Sequence, residues 1–231
     1  MGKRIIQQAR GKGSHTYRVR KKAFAVKPKY PTKIEGKYTL IKLISSAGHT
    51  SPIGKFQLET GEVFFNIAAN NIFIGQEFVV GGQKQGDICK IGDLKNGTTI
   101  FNLENNINDG GKFVRSGGNS ALIVGKKGDK IIVTMPSKQQ KVFNANCRAT
   151  VGVSAGQGRL DKPILKAGKQ FYIKKAKSKL WPRTSAVKMN AIDHPFGSGR
   201  GKRPKSKIIP RMASPGQKVG LLRPRRTGKR K

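Results

Sequence analysis

Acidic residues are scarce in this sequence, and their distribution divides the chain into three parts. Residues 1–33 contain 11 Lys/Arg and no Asp or Glu, and residues 159–231 contain 23 Lys/Arg against only Asp161 and Asp193. Between them, residues 34–158 carry 14 basic and 9 acidic residues, which is an ordinary balance for a folded domain. The composition therefore predicts a globular centre with a basic extension at each end.

Long apolar runs and cysteines are also scarce. Stretches such as 121–125 are far shorter than the roughly 20 residues of a membrane-spanning helix, and the charged start Met1–Arg10 lacks the apolar region of a signal peptide. Cys89 and Cys147 lie outside any CxxC motif. We expect them to be buried thiols of a reducing compartment rather than a disulfide or a zinc site. The sequence predicts a soluble intracellular protein.

The net charge of +37 limits the classes of partner. Self-repulsion on this scale opposes a compact state unless counter-charge is bound. Nucleic acid supplies that charge most directly, because each neutralised phosphate releases condensed counterions. An anionic membrane is the alternative, but the basic segments 202–207 and 222–231 lack the amphipathic face with bulky apolar residues that membrane-surface segments show. The charge therefore favours nucleic acid.

The central part of the sequence is typical of an all-β fold. Short runs rich in Val, Ile, Phe and Thr alternate with turn signals, and no amphipathic helix of useful length falls between them, which favours small barrels over βαβ units. Their number predicts two barrels in tandem, with a break near 92–112, where Gly and Asn accumulate. Turns are expected at 59–61 and 126–129. The predicted strands are 38–44, 53–58, 62–67, 77–80, 87–91, 98–102, 120–124, 130–135 and 140–143.

The two ends are predicted to contain little regular structure. Gly and Pro interrupt residues 1–33, which indicates an extended basic arm. Residues 159–231 are predicted to be mainly loop, with a short helix over 174–179 before Trp181. A solitary Trp in basic surroundings either anchors the segment or stacks on a base, and packing is the more common role.

Two motifs in the central part are candidates for phosphate contact. The segment 109–115 (DGGKFVR) would let the backbone approach a phosphate beside Lys112 and Arg115. A tight turn between strands explains the paired glycines equally well, and both explanations can hold together. In 146–150 (NCRAT), Arg148 is expected at the surface, and the glycine-rich run that follows makes it a candidate RNA contact.

The segment 188–199 (KMNAIDHPFGSG) is the most informative part of the tail. Asp193 and His194 are of the types that form an acid-oriented general base, but no nucleophile signature accompanies them and neighbouring loop residues rarely face each other. A rigid RNA-binding loop is the better interpretation, with Pro195 fixing the backbone, Phe196 available to stack on a base and His194 hydrogen-bonding to RNA. A phosphate-binding loop is excluded because Phe196 and Arg203 replace its required Gly and Ser/Thr.

Several motifs in order along nearly the whole chain resemble those of a known family. They are MGKRIIQQARGKG (1–13), DGGKFVR, NCRATVGV, KPILKAGKQFY (162–172), KMNAIDHPFGSG and SPGQKVGLLRPRRTGKRK (214–231). Together they resemble universal large ribosomal subunit protein two in its archaeal and eukaryotic form. Departures are small: Ser198 stands where the family's run usually continues as Gly, and Phe196 stands where bacterial members have a second His.

The resemblance implies an oligonucleotide-binding (OB) barrel followed by an SH3-like barrel. The expected organisation is a basic extension over 1–33, an OB-fold RNA-binding domain over 34–98, an SH3-like barrel over 99–172 and a basic rRNA-binding extension over 173–231. It also implies a non-enzymatic component of the large ribosomal subunit in the cytoplasm. Such a protein binds large-subunit rRNA and supports subunit association, tRNA binding and the architecture around the peptidyl-transferase centre.

The implied partners are large-subunit rRNA, neighbouring large-subunit proteins, the small subunit at the intersubunit face and, indirectly, tRNA. No cofactor or metal ligand set is expected, although rRNA-bound Mg²⁺ nearby is compatible with the resemblance. The family's tail histidine has been proposed to assist peptide-bond formation, but we assign the matching His194 to RNA contact, because the active centre of the ribosome is RNA. The candidate rRNA-binding residues are Arg4, Arg10, Lys12, Arg18, Lys112, Arg115, Arg148, Arg159, Trp181, Arg183, Lys188, Met189, Asn190, His194, Pro195, Phe196, Arg200, Lys202, Arg203, Arg211, Arg223, Arg225 and Arg226.

Two alternatives belong to other functional classes. A small RNA-modifying enzyme would need a substrate pocket, and replacing His194 by Ala would abolish turnover while leaving binding intact. A chromatin-type packaging protein would share the charge but prefer duplex DNA to folded RNA. The sequence suggests no such turnover, and the specific tail motifs argue against the packaging protein.

Overall fold

The computed structural model describes residues 2–201, 204, 211–214 and 218–220. The chain divides into two compact units. We call Met1–Arg20 together with Ala167–Lys231 the terminal unit, and Lys21–Lys166 the β unit. The two basic ends of the chain thus belong to one unit.

The β unit contains ten strands in the described residues. Nine of them coincide, within a few residues at their ends, with the strands predicted from alternation and turn signals. The tenth was missed because its residues are buried throughout and show no alternation. The strands are β1 Lys37–Ile44, β2 Ile53–Leu58, β3 Val63–Ile67, β4 Glu77–Val79, β5 Ile88–Lys90, β6 Thr99–Phe101, β7 Ala121–Lys127, β8 Lys130–Thr134, β9 Gln140–Asn144 and β10 Arg148–Val151.

The first sheet is four-stranded and antiparallel, in the order β3-β2-β1-β4. Its inner face is aromatic: the ring of Tyr38 stacks on Phe78 with centroids 5.4 Å apart and meets Phe56 edge-on at 5.5 Å. Burying one such ring stabilises the fold by about 1.5–3 kcal/mol. A bulge between Leu40 and Lys42 bends β1 and increases its twist. The expected turn at 59–61 connects β2 to β3 and is confirmed.

The second sheet is six-stranded, in the order β5-β10-β6-β7-β8-β9. Its core is aliphatic, with Ile91, Ile100, Leu103, Ile123 and Val133 fully buried. The turn expected at 126–129 joins β7 to β8 and is also confirmed. The two sheets form the predicted all-β architecture of an OB-fold barrel followed by an SH3-like barrel.

Strand β5 connects the two sheets. It pairs with β10 in the second sheet, yet Ile88 packs in the aromatic core of the first and forms an isolated parallel bridge with Val80. Sheet pairing therefore changes between β4 and β5, ahead of the Gly- and Asn-rich region near 92–112. The domain bounds given above stay a prediction.

The terminal unit contains more helix than its sequence indicates. Helix α1 spans Ile6–Gly11 and α2 spans Ala167–Ala176, while single 3-10 turns occupy Lys21–Phe24, Ile91–Asp93 and Ala186–Lys188 along the chain. We predicted an extended arm for 1–33 and a helix over 174–179. The first prediction missed α1, which is short, and the second overlaps only the last residues of α2, because α2 has no buried residue and therefore no apolar periodicity that marks its start.

Candidate nucleic-acid interface

The terminal unit concentrates the positive charge of the protein. Its residues include 26 Lys/Arg and a single acidic residue, Asp193. The backbone N–H of Lys3 donates to the carbonyl of Ile192 at 2.8 Å, which joins the start of the chain to the 188–199 loop. Ile5 anchors this junction and is only 3 % exposed. The two basic ends therefore present their cations on one body.

Most of the predicted cations lie at the surface. In the terminal unit, Arg4, Lys12, Arg18, Arg183, Lys188, Arg200 and Arg211 are exposed, and Arg10 is half-buried. In the β unit, Lys112 and Arg159 are exposed. An exposed guanidinium can bind phosphate with two parallel hydrogen bonds. The predicted residues Lys202, Arg203, Arg223, Arg225 and Arg226 lie outside the described residues.

The 188–199 loop is a compact turn held by its own backbone. The N–H of His194 and that of Asp193 both donate to Asn190 O, at 3.2 and 3.0 Å, and the N–H of Gly197 donates to His194 O at 2.8 Å. A Cβ added at Gly197 would lie 2.1 Å from Asn190 O, so only glycine fits there. Ser198 has a φ of 55°, in the left-handed region that favours glycine. Glycine would adopt this φ with less strain than serine does.

A backbone hydrogen bond fixes the tautomer of the neutral His194 imidazole. Its Nδ1 accepts the backbone N–H of Phe196 at 3.0 Å, so in the neutral ring the proton is on Nε2. Burial lowers the pKa of His194, which favours this neutral form. The carboxylate of Asp193 lies 3.8 Å from Lys3 Nζ instead of orienting the imidazole. The geometry is that of a positioned donor beside a half-buried aromatic ring, since Phe196 lies 5.3 Å from the His194 ring.

The other predicted members of this loop differ in exposure. Asn190 and Pro195 are exposed, and Met189 is half-buried. Trp181 is also half-buried and lines a cavity together with Tyr17 and Phe171, which favours its anchoring role over stacking. Polar and aromatic groups of the loop thus lie beside the exposed cations of the same unit.

The 109–115 segment is built as a tight turn. Asp109 accepts hydrogen bonds from the backbone N–H groups of Asn105, Asn106 and Gly111. A Cβ at Gly111 would lie 2.4 Å from Asn102 Oδ1, so this glycine is required by internal packing. The guanidinium of Arg115 donates to the carbonyls of Gly111 and Pro28, and burial lowers its pKa. Within this motif Lys112 is the exposed cation.

Arg148 is not the surface residue that we expected. It is 8 % exposed, and its Nη2 lies 2.8 Å from Oε1 of the fully buried Glu104. Its Nη1 donates to Pro31 O at 2.7 Å, and its backbone N–H donates to Glu104 Oε2 at 2.9 Å. The arginine is internal because a buried carboxylate needs a paired cation. Sequence reasoning missed Glu104, and the signal that could have found it is a lone acid inside the otherwise uncharged run 102–108.

The described residues contain neither a metal-binding cluster nor a membrane-spanning helix. No group of three or more His, Cys, Asp and Glu side chains is placed to hold a metal ion in the part of the chain that the structure describes. No described helix is long and apolar enough to cross a membrane. Both cysteines are buried free thiols, as predicted, and burial raises the pKa of Cys89 to about 12.

Comparison with known proteins identifies the family. Residues 84–214 match the family described as Ribosomal Proteins L2, C-terminal domain. The chain is 40 % identical to large ribosomal subunit protein uL2 of Hyperthermus butylicus and 39 % identical to that of Methanococcoides burtonii. Both alignments cover 100 % of this chain and 100 % of the relative. The chain therefore belongs to the uL2 family of large ribosomal subunit proteins, in its archaeal form, a family of structural ribosomal components and not of enzymes.

Proposed function

We propose that the chain binds large-subunit rRNA mainly through the terminal unit and there supports the architecture around the peptidyl-transferase centre. The observation that carries this proposal is the pairing of 26 Lys/Arg with one acidic residue in a unit that also presents the 188–199 loop. Such a surface has few internal partners for its charge. Phosphates of a folded RNA would neutralise it and release counterions.

The proposed RNA contacts differ with the chemistry of each side chain. Exposed arginines such as Arg4, Arg183 and Arg200 bind phosphates bidentately, and Lys12 and Lys188 act as point charges. In the loop, His194 donates a hydrogen bond to an RNA acceptor. Phosphate contacts fix the position of the protein, while RNA shape and unpaired bases supply the specificity.

The β unit contributes the two barrels and a smaller part of the proposed contacts. In this proposal residues 34–98 are an OB-fold RNA-binding domain and residues 99–172 an SH3-like barrel, with the basic extensions 1–33 and 173–231 on either side. Lys112 and Arg159 are the exposed candidates of the β unit. Arg115 and Arg148 act inside that unit, where they hold the loops that bear these contacts.

The broader roles follow from a position within the large subunit. In the cytoplasmic ribosome, the chain would support subunit association at the intersubunit face and, indirectly, tRNA binding, beside neighbouring ribosomal proteins. It would catalyse no step itself. The carboxylate of Asp193 lies near Lys3 instead of orienting the His194 imidazole, whose Nδ1 accepts the Phe196 N–H, which supports a binding role.

A pair of charge-matched variants tests the proposed interface. One variant replaces Arg4, Lys12 and Arg200 of the terminal unit by Gln, and the other replaces Lys127, Lys130 and Lys138 of the β unit by Gln. All six side chains are exposed, so each variant loses three charges without loss of packing. Affinity for large-subunit rRNA is measured by filter binding over a series of salt concentrations.

The slope of log K against log salt reports the number of phosphates neutralised. With about −0.7 per contact for single strands, the terminal-unit variant should lose roughly 2 from the magnitude of the slope. The β-unit variant should keep the wild-type slope. Equal losses in the two variants, or no loss in either, would show that the terminal unit is not the principal interface.

A further inference from the structure

The terminal unit contains a cavity of about 240 Å³, and four of the candidate rRNA-binding residues line it: Arg10, Arg183, Met189 and His194. The start of the chain and the segment 180–194 form it together. Ile5, Leu180 and Met189 supply apolar walls, and Arg10 and Arg183 lie at the same cavity. Ile5 is almost fully buried and Leu180 and Met189 are half-buried, so the apolar part belongs to the interior of the unit.

Polar groups that line the cavity can form hydrogen bonds with a ligand. Ser185 carries a hydroxyl that both donates and accepts, and His194 has its Nδ1 occupied by the Phe196 N–H, which leaves Nε2–H for a ligand. None of the described lining residues is acidic. The cavity thus combines apolar walls, a few directed polar groups and two cations.

This combination selects among classes of ligand. A free phosphate would pair with the arginines but leave the apolar walls in contact with water. An aliphatic group would cover those walls but leave the cations without counter-charge. A nucleotide satisfies both, because its base has apolar faces and a polar edge and its phosphate is anionic. The volume is below the roughly 300–1,000 Å³ of drug-sized ligand pockets, which fits one base rather than a stack.

We propose that this cavity takes up the base of a single unpaired nucleotide of large-subunit rRNA, while Arg10 and Arg183 bind the adjacent phosphates. The proposal rests on the proposed rRNA binding and adds a defined acceptor site to it. Uptake of one base fixes the register of the RNA on the protein, which distributed phosphate contacts alone do not.

Filling the cavity provides the test. Ala186 is half-buried and lines the cavity, whereas Ala167 is exposed in the same unit, outside the 188–199 loop, and does not line the cavity. Tagged full-length chains carrying Ala186→Phe or Ala167→Phe are expressed beside the native copy, and large subunits containing them are purified through the tag. Every rRNA position is then probed with dimethyl sulfate and with a reagent that acylates flexible 2′-hydroxyls.

We expect Ala186→Phe to convert one protected nucleotide to the reactivity of an unpaired one, and Ala167→Phe to leave the wild-type pattern. Identical patterns in wild-type and Ala186→Phe subunits would overturn the proposal. The same new reactivity in both variants would also overturn it, because occupation of the cavity would then not be its cause.

A second pair of variants keeps the test valid if the phenylalanine disturbs folding. Ser185→Glu places a carboxylate at the cavity, and Ser185→Gln has the same shape without the charge. The Glu variant should expose the nucleotide more than the Gln variant does, and equal patterns would contradict phosphate binding there. Failure of the wild-type tagged chain to enter large subunits would refute the proposed function itself, whereas normal entry without a protected nucleotide would refute only this site.

Discussion

Replacing Arg148 by Leu separates an internal role of this arginine from an RNA-binding one. The substitution removes the ion pair with Glu104 and the hydrogen bond to Pro31 O. It also removes the contact of the guanidinium with the Tyr30 ring, whose centroid lies 5.5 Å from Cζ. Glu104 is fully buried and would keep only backbone partners, the N–H groups of residue 148 and of Gly110.

The cost follows from the carboxylate that is left behind. Removing one partner of a buried ion pair destabilises a protein by about 3–5 kcal/mol, because the remaining charge is uncompensated. With an m value of about 2 kcal/mol/M in urea, this moves the unfolding midpoint down by roughly 2 M. Replacing both Glu104 and Arg148 by Leu removes the unpaired charge, so the double variant should lose less stability than the single Arg148→Leu variant.

Urea unfolding of the full-length chain, followed by far-UV circular dichroism at constant ionic strength, measures these changes. Arg159→Leu is the matched control, since Arg159 is exposed in the same unit and its replacement should change stability by no more than about 0.5 kcal/mol. An Arg148→Leu midpoint within error of the control would refute the reasoning. A double variant less stable than the single one would refute it as well.

Three further predictions concern the tail loop and the thiols. Gly197→Ala should weaken binding to large-subunit rRNA in a filter-binding assay, because the added Cβ would clash with a backbone carbonyl oxygen. Gly199→Ala adds a Cβ in open space and should bind as the wild type does. Equal affinities of the two variants would contradict the tight turn. In the free protein, the NMR titration midpoint of His194 should lie below 6.5, the usual pKa of an imidazole. The contribution of the neutral ring to stability should be complete above pH 6.5 and should be lost as the pH falls through the midpoint of the folded protein. A midpoint above 6.5 would contradict burial of the ring. Cys89 and Cys147 should react with a thiol reagent at pH 8 only after unfolding, because burial raises both pKa values; rapid labelling of the native chain would contradict this.

The strands could be predicted because half-buried strands leave a period of two in the sequence. Strands β2 and β8, for example, alternate buried and more exposed residues over much of their length. Strand β10 is buried on both faces and shows no alternation, so the same reasoning passed over it. Helices α1 and α2 have no buried residues and therefore no helical periodicity to detect.

The charge of the candidate site and its loop could be predicted from the sequence, but the contacts between its residues could not. The excess of cations at both ends and the 188–199 motif are visible in the sequence alone. Which cations are internal depends on contacts between distant residues, such as the 44-residue separation of Glu104 and Arg148. The cavity beside Ile5 was missed for the same reason, because it forms only when the start and the tail of the chain meet.

Sedimentation of a cell extract through sucrose gradients at low and high salt, with detection of this chain, tests the central claim most directly. An embedded rRNA-binding component should migrate with the large subunit, and it should remain there at high salt because many phosphate contacts act together. Release into the light fractions at moderate salt would mean a peripheral electrostatic binder and would contradict the proposed role of the terminal unit.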